Sequence, residues 1–175
     1  MKLRRNFLPK SLGDWSGFVF MLLVILLFYW FELFVVIPDY YSFSSVWYWI
    51  HFITGSFLMV NIVSNLLAVM FIDTSIFSVD ISSENTEDWS FCDTCMLRIP
   101  PRCWHCDTCN QCILKRDHHC TFSGCCIGYA NHRFFMMFLT YLFFACVYSL
   151  YFNLFYIFTR TTINFDAILQ VLFPV

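Results

Sequence analysis

The chain reads Cys92-x2-Cys95, then His105-Cys106-x2-Cys109-x2-Cys112, then Asp117-His118-His119-Cys120 and finally Cys126, with a long apolar run just beyond. A Cys-x2-Cys pair suits zinc because a tight turn brings both sulfurs to one side, each about 2.3 Å from an ion in a tetrahedral site. The stretch offers nine Cys together with His105, His118, His119 and His132, and two closed four-ligand sites consume eight of these groups. Local order pairs Cys92 and Cys95 with a later His and Cys, and Cys106 and Cys109 with others further on; spacing alone leaves the partition open. Pro100-Pro101 interrupts the stretch and contiguous apolar residues are few, so metal rather than an apolar core is expected to hold it together.

On either side the chain turns apolar. Phe18 to Ile37 is a run of twenty residues with Glu32 as its only charge; Val46 to Ile72 holds only the protonatable His51, and Phe134 to Phe158 has no charge at all. About twenty helical residues cross the ~30 Å hydrocarbon core of a bilayer. With 59% hydrophobic and 13% charged residues in a chain of 175, a soluble domain would have too little polar surface to cover its interior. The fold class read here is an α-helical multi-pass membrane protein. Its transmembrane helices are 18–37, 46–72 and 134–158, and a small zinc-bound cysteine-rich domain, 92–133, lies between the second and third. Residues 1–17 form the N-terminus, 73–91 a solvated acidic linker and 159–175 a short C-terminal tail.

Lys2, Arg4, Arg5 and Lys10 precede the first span as they would in a signal peptide, but its length and the missing small-residue cleavage site point to a retained helix. The loop Pro38 to Ser45 carries no Lys or Arg, which places the basic N-terminus in the cytosol. Two crossings return the cysteine-rich domain, with Arg102, Lys115, Arg116 and Arg133, to the same side. That compartment is reducing, and nine of the ten Cys interleave with His at ligand spacing, so metal is favoured over a disulfide framework. Cys146 is read as a packing residue, Glu32 as a satisfied or interfacial acid, and Asn61 with Asn65 as marking the protein-facing side of the second span. No internal repeat is read beyond the Cys-x2-Cys spacing, and no nucleotide-binding glycine motif is present. Nucleic-acid binding is disfavoured by a pI of about 6.2, by Asp80, Glu84, Glu87 and Asp88 and by the adjacent apolar spans, since phosphate recognition needs a basic face.

Together, Cys92-x2-Cys95, Pro100, Arg102, His105-Cys106-x2-Cys109-x2-Cys112, the tetrad 117–120, Cys126, Gly128 and Asn131 resemble the DHHC family of protein S-acyltransferases. The order of two spans, domain and third span is also similar to that family. The resemblance implies two structural Zn2+, one held by Cys92, Cys95, His105 and Cys112 and the other by Cys106, Cys109, His119 and Cys126. Cys103, Cys120, Cys125, His118 and His132 are then free. It implies that Cys120 is the nucleophile, His118 its base and Asp117 the group that orients His118. A free cysteine has a pKa of about 8.5, and a neighbouring imidazole lowers such a value to roughly 3.5–7.5. The implied reaction is palmitoyl transfer from a long-chain acyl-CoA, through an acyl-Cys120 thioester, to Cys residues of cytosol-facing proteins, in the endoplasmic reticulum or Golgi. Burying an acyl chain is favourable by about 0.8 kcal/mol per CH₂, so its tail stays in membrane lipid while CoA stays in water.

The chain departs from the family at Phe122 and Cys125, where Trp and Asn are usual, at Thr74-Ser75 in place of Pro-Gly, and at Ile99 in place of a basic residue, with Arg98 one place earlier. Thr161-Thr162-Ile163-Asn164 is similar to the family's Thr-Thr-x-Glu without matching it. Beyond Arg160 only Ile168 to Phe173 is apolar, where the family has a fourth span and a cytosolic tail, so an incomplete form is expected as much as a complete enzyme. The alternative from another class is a catalytically inactive, zinc-stabilised membrane scaffold or partner protein.

Overall fold

The computed structural model describes residues 2–78 and 87–172, with side chains as far as Thr161. Asp80 and Glu84 of the expected linker, and the side chains of Thr162, Ile163 and Asn164, lie outside the described residues. Among the described residues, three helices are long and apolar enough to cross a membrane: Leu12–Tyr40, Val46–Phe71 and His132–Thr161, of 29, 26 and 30 residues. The first is built from α1 (Leu12–Phe31), a π-helical stretch (Glu32–Val36) and α2 (Ile37–Tyr40). Ser11 caps it, accepting the Asp14 N–H on Oγ at 3.0 Å. Pro38 has no N–H to return to the preceding turn, and the wider π turn stands directly before it. The second helix is α3 (Val46–Phe71), and α4 (His132–Leu172) runs on beyond Phe158 through most of the segment read as a tail. By contacts the chain forms two compact units, Met1–Val24 with Asn61–Thr140, and Ile25–Val60 with Tyr141–Val175.

The first unit contains the cysteine-rich segment, folded as three two-stranded antiparallel hairpins: β1 (Ser90–Cys92) with β2 (Leu97–Ile99), β3 (Trp104–Cys106) with β4 (Gln111–Ile113), and β5 (His119–Cys120) with β6 (Cys125–Cys126). Their registers coincide, with Cys92 opposite Leu97, Cys106 opposite Gln111 and Cys120 opposite Cys125. The residue that turns each hairpin is left-handed: Met96 at φ 53°, Asn110 at φ 50° and Gly124 at φ 62°. Asn110 N–H donates to Asp107 O at 3.2 Å, and Gly124 N–H donates to Thr121 O at 3.3 Å. Ile99, Ile113 and Ile127 are all buried. Each of these positions follows its counterpart by fourteen residues, so the segment is a threefold repeat, and the sequence reading of no repeat beyond Cys-x2-Cys is corrected. The third copy carries Ser123 where the first two have Cys95 and Cys109, which hides it from a cysteine count.

The N-terminal residues dock on this unit. Leu3 bridges Ile72, Arg4 N–H donates to Phe71 O at 2.8 Å, and Asp73 N–H donates to Lys2 O at 3.0 Å. Lys10 Nζ donates to Cys109 O at 2.7 Å. Pro9 packs on Gly124, where an added Cβ would lie 2.9–3.0 Å from Pro9 atoms and the positive φ already disfavours other residues. Residues 73–78, read as the start of a solvated linker, are docked as well. Asp73 accepts the Ser75 N–H and hydroxyl at 2.9 and 3.0 Å, Ser75 bridges Ile113, and Thr74 O accepts from Leu114 N–H at 3.2 Å. These bonds satisfy backbone groups that would otherwise be buried unpaired.

In the second unit Glu32, which opens the π-helical stretch, is buried and accepts from Ser149 Oγ at 2.8 Å and Asn153 Nδ2 at 2.7 Å. Oε2 thus bonds to α4, while Oε1 is buried with no hydrogen-bond partner among the described residues. His51 Nδ1 pairs with Tyr148 Oη at 2.7 Å. Cys146, read as a packing residue, is exposed on α4. Asn65, in the first unit, donates back to Asn61 O of its own helix at 2.8 Å.

Candidate active site and metal centres

The hairpin turns place two sulfurs each. Cys95 N–H points at Cys92 Sγ, 3.4 Å away, and Cys109 N–H at Cys106 Sγ, 3.5 Å away, which holds each sulfur pair on one side of its turn. One imidazole and one more sulfur come to each pair from the next copy of the repeat. The resulting groups are Cys92, Cys95, His105 and Cys112, and Cys106, Cys109, His119 and Cys126, with the ligand atoms of each group all within 4.8 Å of one another.

A tetrahedral ion with ligands about 2.3 Å away has ligand–ligand edges of about 3.8 Å. In the second group His119 Nδ1 lies 3.6, 3.4 and 3.6 Å from the sulfurs of Cys106, Cys109 and Cys126, and the last two sulfurs are 3.6 Å apart. In the first, His105 Nδ1 lies 3.8, 3.2 and 3.9 Å from Cys92, Cys95 and Cys112. Cys3His is a closed structural donor set for Zn2+, so the residues fit that ion in both groups. The hydrogen bond between the Cys109 and Cys126 sulfurs draws Cys109 down to about 5 and pushes Cys126 far above the usual thiol range. Metal ligation by such a sulfur pair requires loss of the thiol protons.

Alternation along the strand decides the rest of the tetrad. His119 faces the second sulfur group, so His118 and Cys120 lie on the opposite face of the β5–β6 hairpin. There His118 Nδ1–H donates to Asp117 Oδ2 at 3.1 Å, and its ring meets Phe135 edge-on at 5.4 Å between centroids. Nε2 is left as the acceptor. Cys120 is buried in a cluster with Val69, Cys125 and Ile127 against which Phe134 and Phe135 pack. In the repeat it corresponds to Cys92 and Cys106, but Ser123 stands where a second sulfur would complete the pair, and the Ser123 hydroxyl donates to Cys120 O at 3.4 Å. The third hairpin therefore carries a knuckle cysteine outside both four-ligand groups.

Cys103 is buried beside the first group, and burial raises its thiol to about 11. Cys125 is fully buried, its thiol directed to Val69 O at 3.6 Å and Ser123 Oγ at 3.4 Å. Asn131 is fully buried too: it accepts from Gly128 N–H at 2.9 Å and donates to Val69 O and Cys126 O at 3.1 Å each, tying α3, β6 and the start of α4 together.

The sequence model of the DHHC palmitoyltransferase family matches residues 85–174, just over half of the chain. The chain belongs to the DHHC palmitoyltransferase family. It is 33% identical over 134 residues to the probable palmitoyltransferase ZDHHC24 of Danio rerio, covering 75% of this chain and 45% of that relative. This DHHC chain thus spans about half the length of the curated relative it matches. Its three apolar helices and its two Cys/His groups agree with a membrane-bound DHHC domain of zinc-binding composition.

Sequence reasoning missed Asp14. It lies in the first turn of α1, is 3% exposed, and accepts from His119 Nε2 at 3.1 Å. An acid one turn into a helix is ordinary for dipole and capping reasons, and the separation of 105 residues from His119 hides the contact. The Ser11-x2-Asp14 spacing was the available signal, but it points to a cap.

Proposed function

We propose that this DHHC protein is a protein S-acyltransferase that carries a long-chain acyl group on Cys120. What carries the reading is that, of the three equivalent knuckle cysteines, Cys120 alone stands outside a four-ligand group, next to an Asp117–His118 pair. The eight Cys and His of the two groups hold zinc, which supplies rigidity to a segment too small to bury a core. His118 Nε2 takes the Cys120 thiol proton, and Sγ bonds to the carbonyl carbon of the acyl-CoA thioester. The bond from that carbon to the CoA sulfur breaks, and the departing thiolate takes the proton from His118. A cysteine of the protein substrate then repeats the exchange, giving up its proton through His118 and freeing Cys120. Asp117 fixes the His118 tautomer and supports the imidazolium.

The same reading puts the three apolar helices across an endoplasmic reticulum or Golgi membrane, with Lys2, Arg4, Arg5 and Lys10 and the cysteine-rich domain on the cytosolic side. The test is to incubate the detergent-solubilised chain with a long-chain acyl-CoA probe and to measure zinc in parallel. Hydroxylamine-sensitive label on wild type, absent from Cys120→Ser with zinc content intact, is the expected result; Cys106→Ser should lose metal and folded protein together. A folded, zinc-loaded wild type that takes no label would make the chain a scaffold and end the enzyme reading.

A further inference from the structure

We propose that Asp14 is a positioning residue for the second metal site, orienting His119 from the first turn of α1. The inference rests on the reading that Cys106, Cys109, His119 and Cys126 hold zinc. Capping would be the ordinary role for this residue, since Ser11 is the N-cap and an acid three places later reaches back to the N-cap N–H. Here the carboxylate turns the other way. Oδ1 accepts from His119 Nε2 at 3.1 Å, Oδ2 is buried without a hydrogen-bond partner among the described residues, and the residue is 3% exposed. A carboxylate removed from water needs compensation, and the bonded imidazole provides it only when the ring is polarised from its other nitrogen. That nitrogen, Nδ1, faces the three sulfurs.

Three thiolates with one dication leave a net negative charge, which a carboxylate alone would worsen. Two cations flank the site: Lys10 Nζ donates to Cys109 O at 2.7 Å, and Arg116 Nη1 donates at 3.4 Å to the carbonyl of His105, the residue before Cys106. Close packing fixes the helix at this height, because a Cβ on Gly17 would lie 2.9 Å from Thr121 Cγ2 and 3.2 Å from Thr121 O. Thr121 follows Cys120, so the helix that carries Asp14 seats directly on the hairpin that carries the tetrad. The first group has no such support: His105 Nε2 is 3.8 Å from Asp107, whose side chain is fully exposed. The two metals are therefore held unequally, and removing a carboxylate partner of this kind typically weakens metal binding 10- to 100-fold.

The experiment follows zinc leaving the full detergent-solubilised chain into a coloured chelator, for wild type, Asp14→Asn and Asp14→Ala, with the absorption spectrum of the cobalt-loaded proteins beside it. Wild type should release two zincs. Asp14→Ala should release one of them about 10- to 100-fold faster and leave the other unchanged. Asp14→Asn, which keeps an oxygen acceptor, should fall between, and only one set of cobalt bands should move. Two zincs released at wild-type rates from both variants would overturn the role of Asp14, as would equal acceleration of both, which marks general loosening of the N-terminal packing. Fewer than two zincs in wild type would instead count against the metal reading itself.

Discussion

Adjacent imidazoles at positions 118 and 119 face opposite sides of one strand, and their partners differ accordingly. His119 has sulfurs on Nδ1 and the Asp14 carboxylate on Nε2, so neither nitrogen is free to move a proton. His118 has one carboxylate, on Nδ1, and a free Nε2. Truncation should separate the two. His118→Ala is expected to slow acyl labelling of Cys120 by roughly 10²–10⁴-fold with zinc content unchanged, the usual contribution of a general base. His119→Ala should instead cost one zinc and most of the folded protein, read by metal analysis and size-exclusion chromatography. The tetrad and the Cys- and His-rich stretch around it stood out in the sequence because their side-chain types are rare and closely spaced, while the division into two four-ligand groups was implied only by the family resemblance. Asp14 did not, because a carboxylate at a helix start has several cheaper explanations and its partner is remote in the chain.

At the scale of elements, the hairpin copies make the third one a metal knuckle with one cysteine exchanged for Ser123. Ser123→Cys restores a Cys-x2-Cys pair at 120–123, so labelling of Cys120 in this variant should fall on adding cadmium and return on chelation, while wild type at the same cadmium concentration is unaffected. Labelling already lost before cadmium is added and not restored by chelation would point to crowding in the Cys120 cluster instead. The apolar runs announced three helices by length alone, but not their ends: α1 starts at Leu12 because Ser11 can cap it, and α4 continues past Phe158 because no Gly or Pro stops it there. The repeat escaped notice because its third copy preserves turn geometry at Gly124 and burial at Ile127 rather than the second cysteine. Glu32 belongs to this scale too, joining the π-helical stretch to α4. Glu32→Ala should lower stability in detergent by about 1 kcal/mol, measured as a thermal midpoint shift, with Glu32→Gln milder because the amide oxygen still accepts from Ser149.

For the molecule as a whole, protons and metal compete for the same donors. With zinc held as proposed, the fold would bind fewer protons than the unfolded chain, whose cysteines titrate at about pH 8.5, so stability is expected to rise with pH up to about that value and to fall as the solution is acidified. Chelator-induced unfolding should accordingly need less chelator at pH 6 than at pH 8, followed by circular dichroism; an unchanged midpoint would mean that metal does not hold this fold. The interlocking of the hairpins also sets an order in time. Each group takes its sulfur pair from one copy and its remaining imidazole and sulfur from the next, so no ligand comes from further than twenty residues along the chain. During synthesis the first group is complete once Cys112 has emerged and the second once Cys126 has, before α4 exists. The N-terminal residues they pack against have by then been made. The ribosome thus delivers Cys120 on a surface whose two ligand groups are already complete, and only afterwards adds the helix that packs over it with Phe134 and Phe135.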